Sequence, residues 1–307
     1  MQADDIILLT LAAGKQMSYL LPLLYGKCRL RLSVHTDSEK ALLEKKYPGS
    51  EVVKGDMERA EDVSSMLSGV TTVIYIGPTF HPRETEIGYS MIDAAASEAQ
   101  NGQLKHFIYS SVLHSQLRKL MNHDCKRYVE EYLMESGLSY TILQPTHMLD
   151  PFPVEDLMRQ EQPVWHADYD PKVTFSFTVL RDLADAFAVV ALEREKHYLA
   201  EYPISSTGAV SHVAVVEALS KEIGKDIAIK QKGYYEAVGG LHGLLVRANG
   251  RLDQRVSRDI TDRLILYYNT YGLKGNTNVL QWLIGRKPTS IEEFFHDKVS
   301  SIRQSGK

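Results

Sequence analysis

The chain has 307 residues, 44% of them hydrophobic and 24% charged, which is enough for one large α/β domain with a smaller lobe and an ample core. Its net charge of −4 at pH 7 argues against a nucleic acid or an anionic membrane as the main partner. The two cysteines, Cys28 and Cys125, are too few for a disulfide framework and favour a reducing compartment. Because the first residues have neither a basic segment nor a long apolar run, we expect no signal peptide, no membrane anchor and a cytoplasmic location.

The stretch 6–25 predicts a strand, a turn and a helix. Residues 6–9 form an apolar run typical of a buried parallel strand, and residues 10–14 suit a short turn. From Met17 onward, apolar residues recur at helical spacing. This is the opening unit of dinucleotide-binding folds, in which a diphosphate lies at the helix N-terminus.

Strand and helix patterns then alternate through the first half of the chain. Strands are predicted at 29–35, 51–54, 71–76, 105–109 and 140–143, and helices at 38–46, 60–67, 87–99 and 121–136. Six strands with intervening helices predict a doubly wound, Rossmann-like parallel sheet over residues 1–148. Ligands of such sheets bind beyond the carboxyl ends of the strands, so the residues that follow each strand are the candidate site.

Residues 149–307 have a different pattern and predict a smaller substrate lobe that forms one compact unit with the core. The segment 150–177, rich in proline and aromatic residues, predicts a lid-like loop or pocket wall. Helices are predicted at 181–195, 211–223 and 250–271, with a short strand at 227–230. A final helix is predicted from residue 289 or 290, where Glu292 and Glu293 suit a capping box.

The candidate cofactor residues lie at the strand ends. They are Thr10, Gly14, Lys15, Gln16, Met17, His35, Asp56, Gly77, Pro78 and Ser110. In the G-x-x-G-x-x-G register of the first turn, one glycine of three remains, because Leu11 and Met17 occupy the other two positions. A leucine at the first position resists the tight turn, and a methionine at the third crowds the helix against the sheet. The sequence therefore predicts an NADP(H) site that is weakened or vestigial, with Lys15 supplying charge near the phosphates.

Several segments together resemble the NmrA-like proteins, an atypical branch of the short-chain dehydrogenase/reductase superfamily common in fungi. They are LAAGKQ at 11–16, IGPTFHPRETEIG at 76–88, HFIYSSV at 106–112, NHDCKRYVEEYLMESGLSYTILQPT at 122–146 and WHADYDP at 165–171. The resemblance covers about residues 5–300 and implies an NAD(P)-binding fold with a variable substrate lobe. The family includes NADPH-dependent reductases, dinucleotide-sensing regulators without catalysis, and proteins that have lost redox function.

The chain departs from the pattern of this family at several positions. The family's phosphate turn usually reads GATGxxG, and its NADP-using members often place an arginine after the second strand, where this chain has His35. A neutral imidazole holds a 2′-phosphate less well than a guanidinium fork. Redox members of the wider superfamily use a tyrosine four residues before a lysine, and here Asn122 stands four residues before Lys126. The resemblance implies that Lys126 alone holds a substrate oxygen or a ribose; the alternative is a solvated first-turn residue.

Titratable side chains at the strand ends and in the second lobe are the candidate catalytic residues: Lys126, His81, His114 and His166. Histidine titrates near neutrality and serves as acid or base. The candidate substrate-binding residues are Arg83, Glu84, His147, Trp165 and Tyr169. As alternatives, Glu84 caps the following helix, Trp165 and Tyr169 pack within a loop, and Asp124 is the N-cap of its helix. The histidines are too scattered to predict a metal site.

Three functions follow from these residues. The favoured one is non-redox acid/base chemistry on a small hydrophobic, natural-product-type substrate, namely isomerisation, epoxide opening or cyclisation, because the cofactor contacts are reduced while His and Lys side chains remain. The second is an NADPH-dependent reductase of a small carbonyl or enone. The third is a non-enzymatic, NAD(P)-sensing regulatory protein. We expect a small-molecule substrate and no nucleic-acid or membrane partner, and the sequence leaves monomer or homodimer open.

Overall fold

A computed structural model describes residues 5–248 and 253–305 of the chain. The strands are β1 (Ile6–Leu9), β2 (Arg29–Val34), β3 (Glu51–Lys54), β4 (Thr72–Ile76), β5 (His106–Ser110), β6 (Tyr140–Pro145), β7 (His147–Met148), β8 (Val164–Ala167), β9 (Thr174–Phe175), β10 (Phe177–Thr178), β11 (Ala200–Ile204), β12 (Val210–Ser211) and β13 (Ala228–Gln231). The helices are α1 (Lys15–Leu24), α2 (Asp37–Lys46), α3 (Ala60–Leu67), α4 (Glu84–Gln100), α5 (Met121–Glu135), α6 (Val154–Arg159), α7 (Leu180–Glu193), α8 (His212–Ile223), α9 (Tyr234–Ala248), α10 (Gln254–Tyr271), α11 (Asn278–Ile284) and α12 (Ile291–Ser305). None of the helices in these ranges is both long and apolar enough to span a bilayer.

A seven-stranded sheet of order β11-β6-β5-β4-β1-β2-β3 organises the first part of the chain. The five pairings among β1 to β6 are parallel. Strand order reverses beside β1, which pairs with β2 on one side and with β4 on the other. The predicted doubly wound, Rossmann-like sheet is thereby confirmed, and its switch point lies at the carboxyl end of β1.

The core on one face of this sheet explains why its strands were visible in the sequence. Leu8, Tyr75 and Phe107 belong to one buried cluster with Val63 of α3 and Met91 of α4. Strands covered on both faces are apolar almost throughout, so β1, β4 and β5 are continuous apolar runs rather than alternating patterns.

The chain divides into two compact units. Among the described residues, the first unit comprises 5–118, Asn122–Pro145 and Leu183–Tyr202, and the second comprises Lys119–Met121, Thr146–Asp182, 203–248 and 253–305. The sequence assigned residues 183–202 to the substrate lobe. In the structure Arg194 returns to the first unit and pairs with buried Asp5 at 2.7 Å, and Asp5 also pairs with Lys105 at 3.2 Å.

Several elements were missed, and three of them, β11, α9 and α11, have sequences with weak local signals. The seventh strand, β11, reads AEYPI and contains a proline, which suits only an edge strand. Helix α9 contains three glycines, which lower helix propensity, and α11 has only seven residues. The predicted loop 150–177 contains α6 and three short strands. The predicted helix start at Gly250 lies outside the described residues; α10 begins at Gln254.

The helix caps give one confirmation and one correction. Ser290 and Glu293 form the predicted capping box at the start of α12, since each backbone amide donates to the other side chain. The N-cap prediction for Asp124 is wrong, because α5 already begins at Met121. Asp124 lies inside the first turn and accepts a hydrogen bond from the Arg127 guanidinium at 2.8 Å.

Candidate functional site at the carboxyl edge of the sheet

The turn between β1 and α1 is the first part of the site. The Gly14 amide donates to the Leu11 carbonyl at 2.8 Å, and the Ala12 amide donates to the Ser33 carbonyl at the end of β2 at 2.9 Å. Helix α1 then begins at Lys15 without a side-chain cap. Its first amides have no carbonyl acceptor within the helix, and they form the kind of site that binds a diphosphate.

The two non-glycine positions of the motif are accommodated in different ways. Leu11 adopts φ +47°, so the tight turn forms with a leucine in the left-handed region at a cost of about 1 kcal/mol. Met17 is 1% exposed and forms part of the core. A Cβ at Gly14 would lie 3.0 Å from the Leu11 carbonyl oxygen, a tight contact, so the glycine keeps this side of the turn open. The turn therefore closes despite the two departures from the glycine motif.

Two other predicted cofactor residues at this edge hold strand ends together. Thr10 is fully buried, and its hydroxyl donates to the Ile76 carbonyl at 2.9 Å and accepts from the Ile76 amide at 2.8 Å. The Ser110 hydroxyl donates to the Gln16 side-chain oxygen at 3.1 Å, which joins the end of β5 to the start of α1. The Thr10 hydroxyl thus makes its hydrogen bonds within the sheet. The side chains of Gln16 and Ser110 lie together beside the turn.

The ends of β2 and β3 carry acidic groups. Both the His35 and Thr36 amides donate to one oxygen of Glu39, at 3.1 and 3.0 Å, within the capping box of α2. The His35 side chain is exposed. Asp56 is half-buried, and its carboxylate accepts the Glu58 amide at 3.0 Å. This rim therefore presents carboxylates rather than an arginine.

Lys126 and Glu84 form a buried ion pair at the start of α4 and α5. Their side chains are 9% and 5% exposed, and the Lys126 ammonium donates to Glu84 Oε1. The other oxygen of Glu84 accepts the Phe80 amide at 2.9 Å. Burial alone would lower the Lys126 pKa, but the adjacent Glu84 carboxylate raises it, so that the net pKa is raised and the ammonium stays charged.

Two buried tyrosines line the strand ends beside this pair. Tyr75 and Tyr109 stack with ring centroids 5.5 Å apart. Burial and the nearby Glu84 charge raise the pKa of both phenols, so both stay protonated. The Tyr75 hydroxyl has no hydrogen-bond partner in the described ranges, and a Cβ on Gly77 would lie 3.1 Å from it. Because Gly77 has no side chain, there is room next to the protonated phenol of Tyr75. The sequence did not single out Tyr75 as a site residue.

His81 and Arg83 both lie close to the carboxylate of Glu58. The sequence analysis did not identify Glu58 as a site residue. His81 Nε2 lies 3.9 Å and Arg83 Nη1 3.6 Å from the same Glu58 oxygen. His81 Nδ1 accepts the Arg83 amide at 3.2 Å, so the proton of a neutral ring belongs on Nε2, facing the carboxylate. No local signal marks Glu58, because it follows β3 and reaches the β4 loop only in the folded chain.

His114 contributes through its backbone in this structure. It adopts φ +59°, and its carbonyl lies 3.3 Å from Nδ1 of buried His123. Nearby, the Glu130 carboxylate accepts hydrogen bonds from the Ser115 hydroxyl at 2.5 Å and from the side-chain amide of Gln144 at 3.0 Å. The catalytic role of His114 stays a prediction, and Glu130 is a buried carboxylate that the sequence did not single out.

The remaining predicted residues belong to the second unit. His147 lies within 6.4 Å, between ring centroids, of the rings of Tyr169, His212 and three further residues, Phe175, Phe177 and Tyr268. Trp165 stacks on His212 at 5.3 Å. His166 on β8 is exposed and lies in register with Lys230. Their substrate roles stay predictions. In 5–248 and 253–305 no group of three His, Cys, Asp or Glu side chains is arranged to hold a metal ion.

The sheet, the turn at 11–14 and the start of α1 define a Rossmann-type dinucleotide-binding fold. Solved structures that share this fold include the following three. An NADPH-dependent quinone oxidoreductase of Escherichia coli in complex with NADPH is 19% identical, with a TM-score of 0.78 over 95% of this chain and 99% of that chain. Triphenylmethane reductase of Citrobacter sp. with NADP(H) is 17% identical, with a TM-score of 0.75 over 95% and 99%. NmrA, a negative transcriptional regulator in complex with NAD, is 17% identical, with a TM-score of 0.75 over 99% and 98%.

The sequence profile of the NmrA-like family matches residues 3–291. The chain therefore belongs to the NmrA-like family, as its sequence motifs predict. An NAD(P)H azoreductase from Xenophilus azovorans is 25% identical over 189 residues, which are 58% of this chain and 60% of that enzyme. This chain thus matches less than two thirds of the length of that relative.

Proposed function

We propose that this protein is a nicotinamide-dependent reductase of a small, flat acceptor, in the class of quinones, azo compounds and aromatic dyes. The observation that carries this proposal is the turn at 11–14. The turn closes with Leu11 at φ +47°, and helix α1 after Gly14 begins without a side-chain cap, so that its first amides could bind a diphosphate. Relatives by sequence or fold are named as reductases of such acceptors.

The residues present fit a dinucleotide diphosphate at the start of α1. The amides of Lys15, Gln16 and Met17 would hold its oxygens, and the absence of a Cβ on Gly14 allows close approach. A bound dinucleotide supplies or accepts the hydride. A protonated His81 ring would pass its Nε2 proton to the reduced oxygen or nitrogen and become neutral, with Nδ1 then accepting the Arg83 amide.

One observation favours a second function, the acid/base enzyme without redox chemistry. His81 and Glu58 form an acid–base pair whose geometry requires no dinucleotide. The natural-product-type isomerisation or cyclisation expected from the sequence would use this pair. A non-enzymatic regulator that senses NAD(P) would require the dinucleotide site but no catalytic residues.

Binding and turnover measurements distinguish these functions. We expect NADH or NADPH to raise the melting temperature and to quench intrinsic fluorescence at micromolar concentrations, and a quinone, an azo dye or a triphenylmethane dye to be reduced at the expense of the nicotinamide absorbance. His81→Gln should lower kcat about 100-fold with dinucleotide affinity unchanged, whereas His296→Gln on the exposed face of α12 should change neither. Failure of both dinucleotides to bind would refute the reductase, and binding without turnover would favour a regulator.

Gly14→Ala tests the turn itself. The new Cβ would lie 3.0 Å from the Leu11 carbonyl oxygen and would block the approach of a diphosphate. Because Gly14 has φ −73°, alanine is compatible with the backbone. We expect dinucleotide affinity to fall about tenfold or more with stability changed by less than about 1 kcal/mol.

Gly233→Ala is the matched control for this variant, since a Cβ at Gly233 meets nothing within 4 Å. Isothermal titration calorimetry measures the affinity and chemical denaturation measures the stability. If the two variants bind the dinucleotide with equal affinity, the turn at 11–14 is not part of the binding site.

A further inference from the structure

We propose that Glu39 makes the dinucleotide site selective for NAD(H) over NADP(H). This inference rests on the proposed function, because it concerns the ribose end of the same site. The two cofactors differ at the 2′ position of the adenine ribose, where NAD(H) has a hydroxyl and NADP(H) has a phosphate. The charge of the protein around this position decides which of them binds more tightly.

The end of β2 lies beside the phosphate turn. The Ala12 amide donates to the Ser33 carbonyl at 2.9 Å, and β1 and β2 run in parallel register up to the pair Leu9 and Leu32. His35 and Thr36, which follow β2, therefore flank the turn that would hold the diphosphate. In Rossmann folds the ribose attached to the adenine lies at this strand end.

The Glu39 carboxylate is fixed at this position. Its Oε2 accepts the amides of His35 and Thr36, at 3.1 and 3.0 Å. These two amides are consequently not available to a phosphate. Glu39 Oε1 makes no hydrogen bond to the described part of the chain and is available to accept a ribose 2′-hydroxyl. A carboxylate that accepts from this hydroxyl is the usual arrangement for NAD.

The cations on the neighbouring elements are already paired. Lys54 at the end of β3 pairs with Asp37 at 2.6 Å, and Lys40 of α2 pairs with Glu44 at 3.9 Å. Lys15 lies at the start of α1, on the diphosphate side of the turn. Arg59 at the start of α3 pairs with Glu61 at 3.4 Å. A 2′-phosphate would therefore bring close to two negative charges next to Glu39 without an unpaired guanidinium on α2 or α3 to hold them.

The test measures the affinities of NADH and NADPH for the full chain and for two glutamine variants. Glu39→Gln keeps an acceptor for the capping box and removes the charge. Glu135→Gln makes the same charge change on an exposed side chain at the end of α5 and leaves β2 and α2 untouched, so it is the matched control. We expect the unmodified protein to bind NADH at least about tenfold more tightly than NADPH. Glu39→Gln should reduce this ratio at least threefold by tightening NADPH, and Glu135→Gln should leave it unchanged.

A second variant extends the same test. His35→Arg combined with Glu39→Gln supplies a guanidinium where the carboxylate stood, and we expect it to prefer NADPH. Equal affinity of the unmodified protein for both dinucleotides, or the same change of ratio in Glu39→Gln and Glu135→Gln, would overturn the assignment and leave the reductase proposal standing. If neither dinucleotide binds the unmodified protein at millimolar concentration, both proposals fall together.

Discussion

Glu84→Gln is expected to lower the free energy of unfolding by about 3–5 kcal/mol, because it leaves the buried Lys126 ammonium without its counter-charge. The two side chains are 9% and 5% exposed, so water cannot replace the lost carboxylate. Glutamine still accepts the Phe80 amide, which isolates the effect of the charge from the loss of that hydrogen bond. Urea denaturation monitored by circular dichroism measures the change.

Glu86→Gln is the control for this prediction. Glu86 is exposed in the same first turn of α4, so the variant loses the same charge near the same helix terminus. We expect a change of no more than about 1 kcal/mol. The double variant Glu84→Gln/Lys126→Met removes both charges and should recover most of the stability. A loss in Glu84→Gln no greater than in Glu86→Gln would show that the pair is solvated in solution.

The double variant also tests the predicted catalytic role of Lys126. In the structure its ammonium is neutralised by Glu84 and not free to act as an isolated cation. If the double variant folds, binds a dinucleotide and retains turnover, Lys126 holds the loop at Phe80 in place rather than the substrate. Loss of turnover with unchanged dinucleotide affinity would assign the Lys126–Glu84 pair a direct role in the reaction.

The second large effect is acid destabilisation below neutral pH. Burial lowers the pKa of His106 to about 3 and the pKa values of His123, His147 and His212 to about 4. His147 is half-buried and packs against the rings of Phe175 and Phe177. In the unfolded chain these groups titrate near pH 6.5, so the unfolded chain binds more protons between about pH 4 and 6.5. The stability is thus complete above about pH 6.5 and falls as the pH approaches 4, by on the order of 3 kcal/mol for each histidine.

Denaturation curves between pH 4 and pH 8 check this prediction. His212→Phe keeps an aromatic ring in the cluster and removes one titrating group, so its stability should fall less steeply with decreasing pH. His166→Gln removes an exposed histidine instead of a buried one and is the control, for which we expect the slope of the unmodified protein. A stability that stays constant down to pH 4.5 would contradict the burial of these rings.

The sequence by itself determined the sheet and the place of the site. The apolar runs at β1, β4 and β5 are local patterns, and parallel strands buried on both faces need them. The position of the first turn follows from the strand and helix that flank it. The rule that ligands lie beyond the carboxyl ends of parallel strands then located Gly14, Ser110 and the loop after β4 without any knowledge of their contacts.

Only the tertiary structure decided what the side chains at that edge do. Leu11 was expected to resist the turn, but the surrounding hydrogen bonds hold it in the left-handed region. Lys126 and Glu84 are separated by 42 residues, and Glu58 reaches His81 from a different loop. Pairing between residues so far apart depends on how the strands are ordered in space, and no local pattern in the sequence encodes it. The charge of the edge, and with it the chemistry that it supports, is therefore a property of the fold.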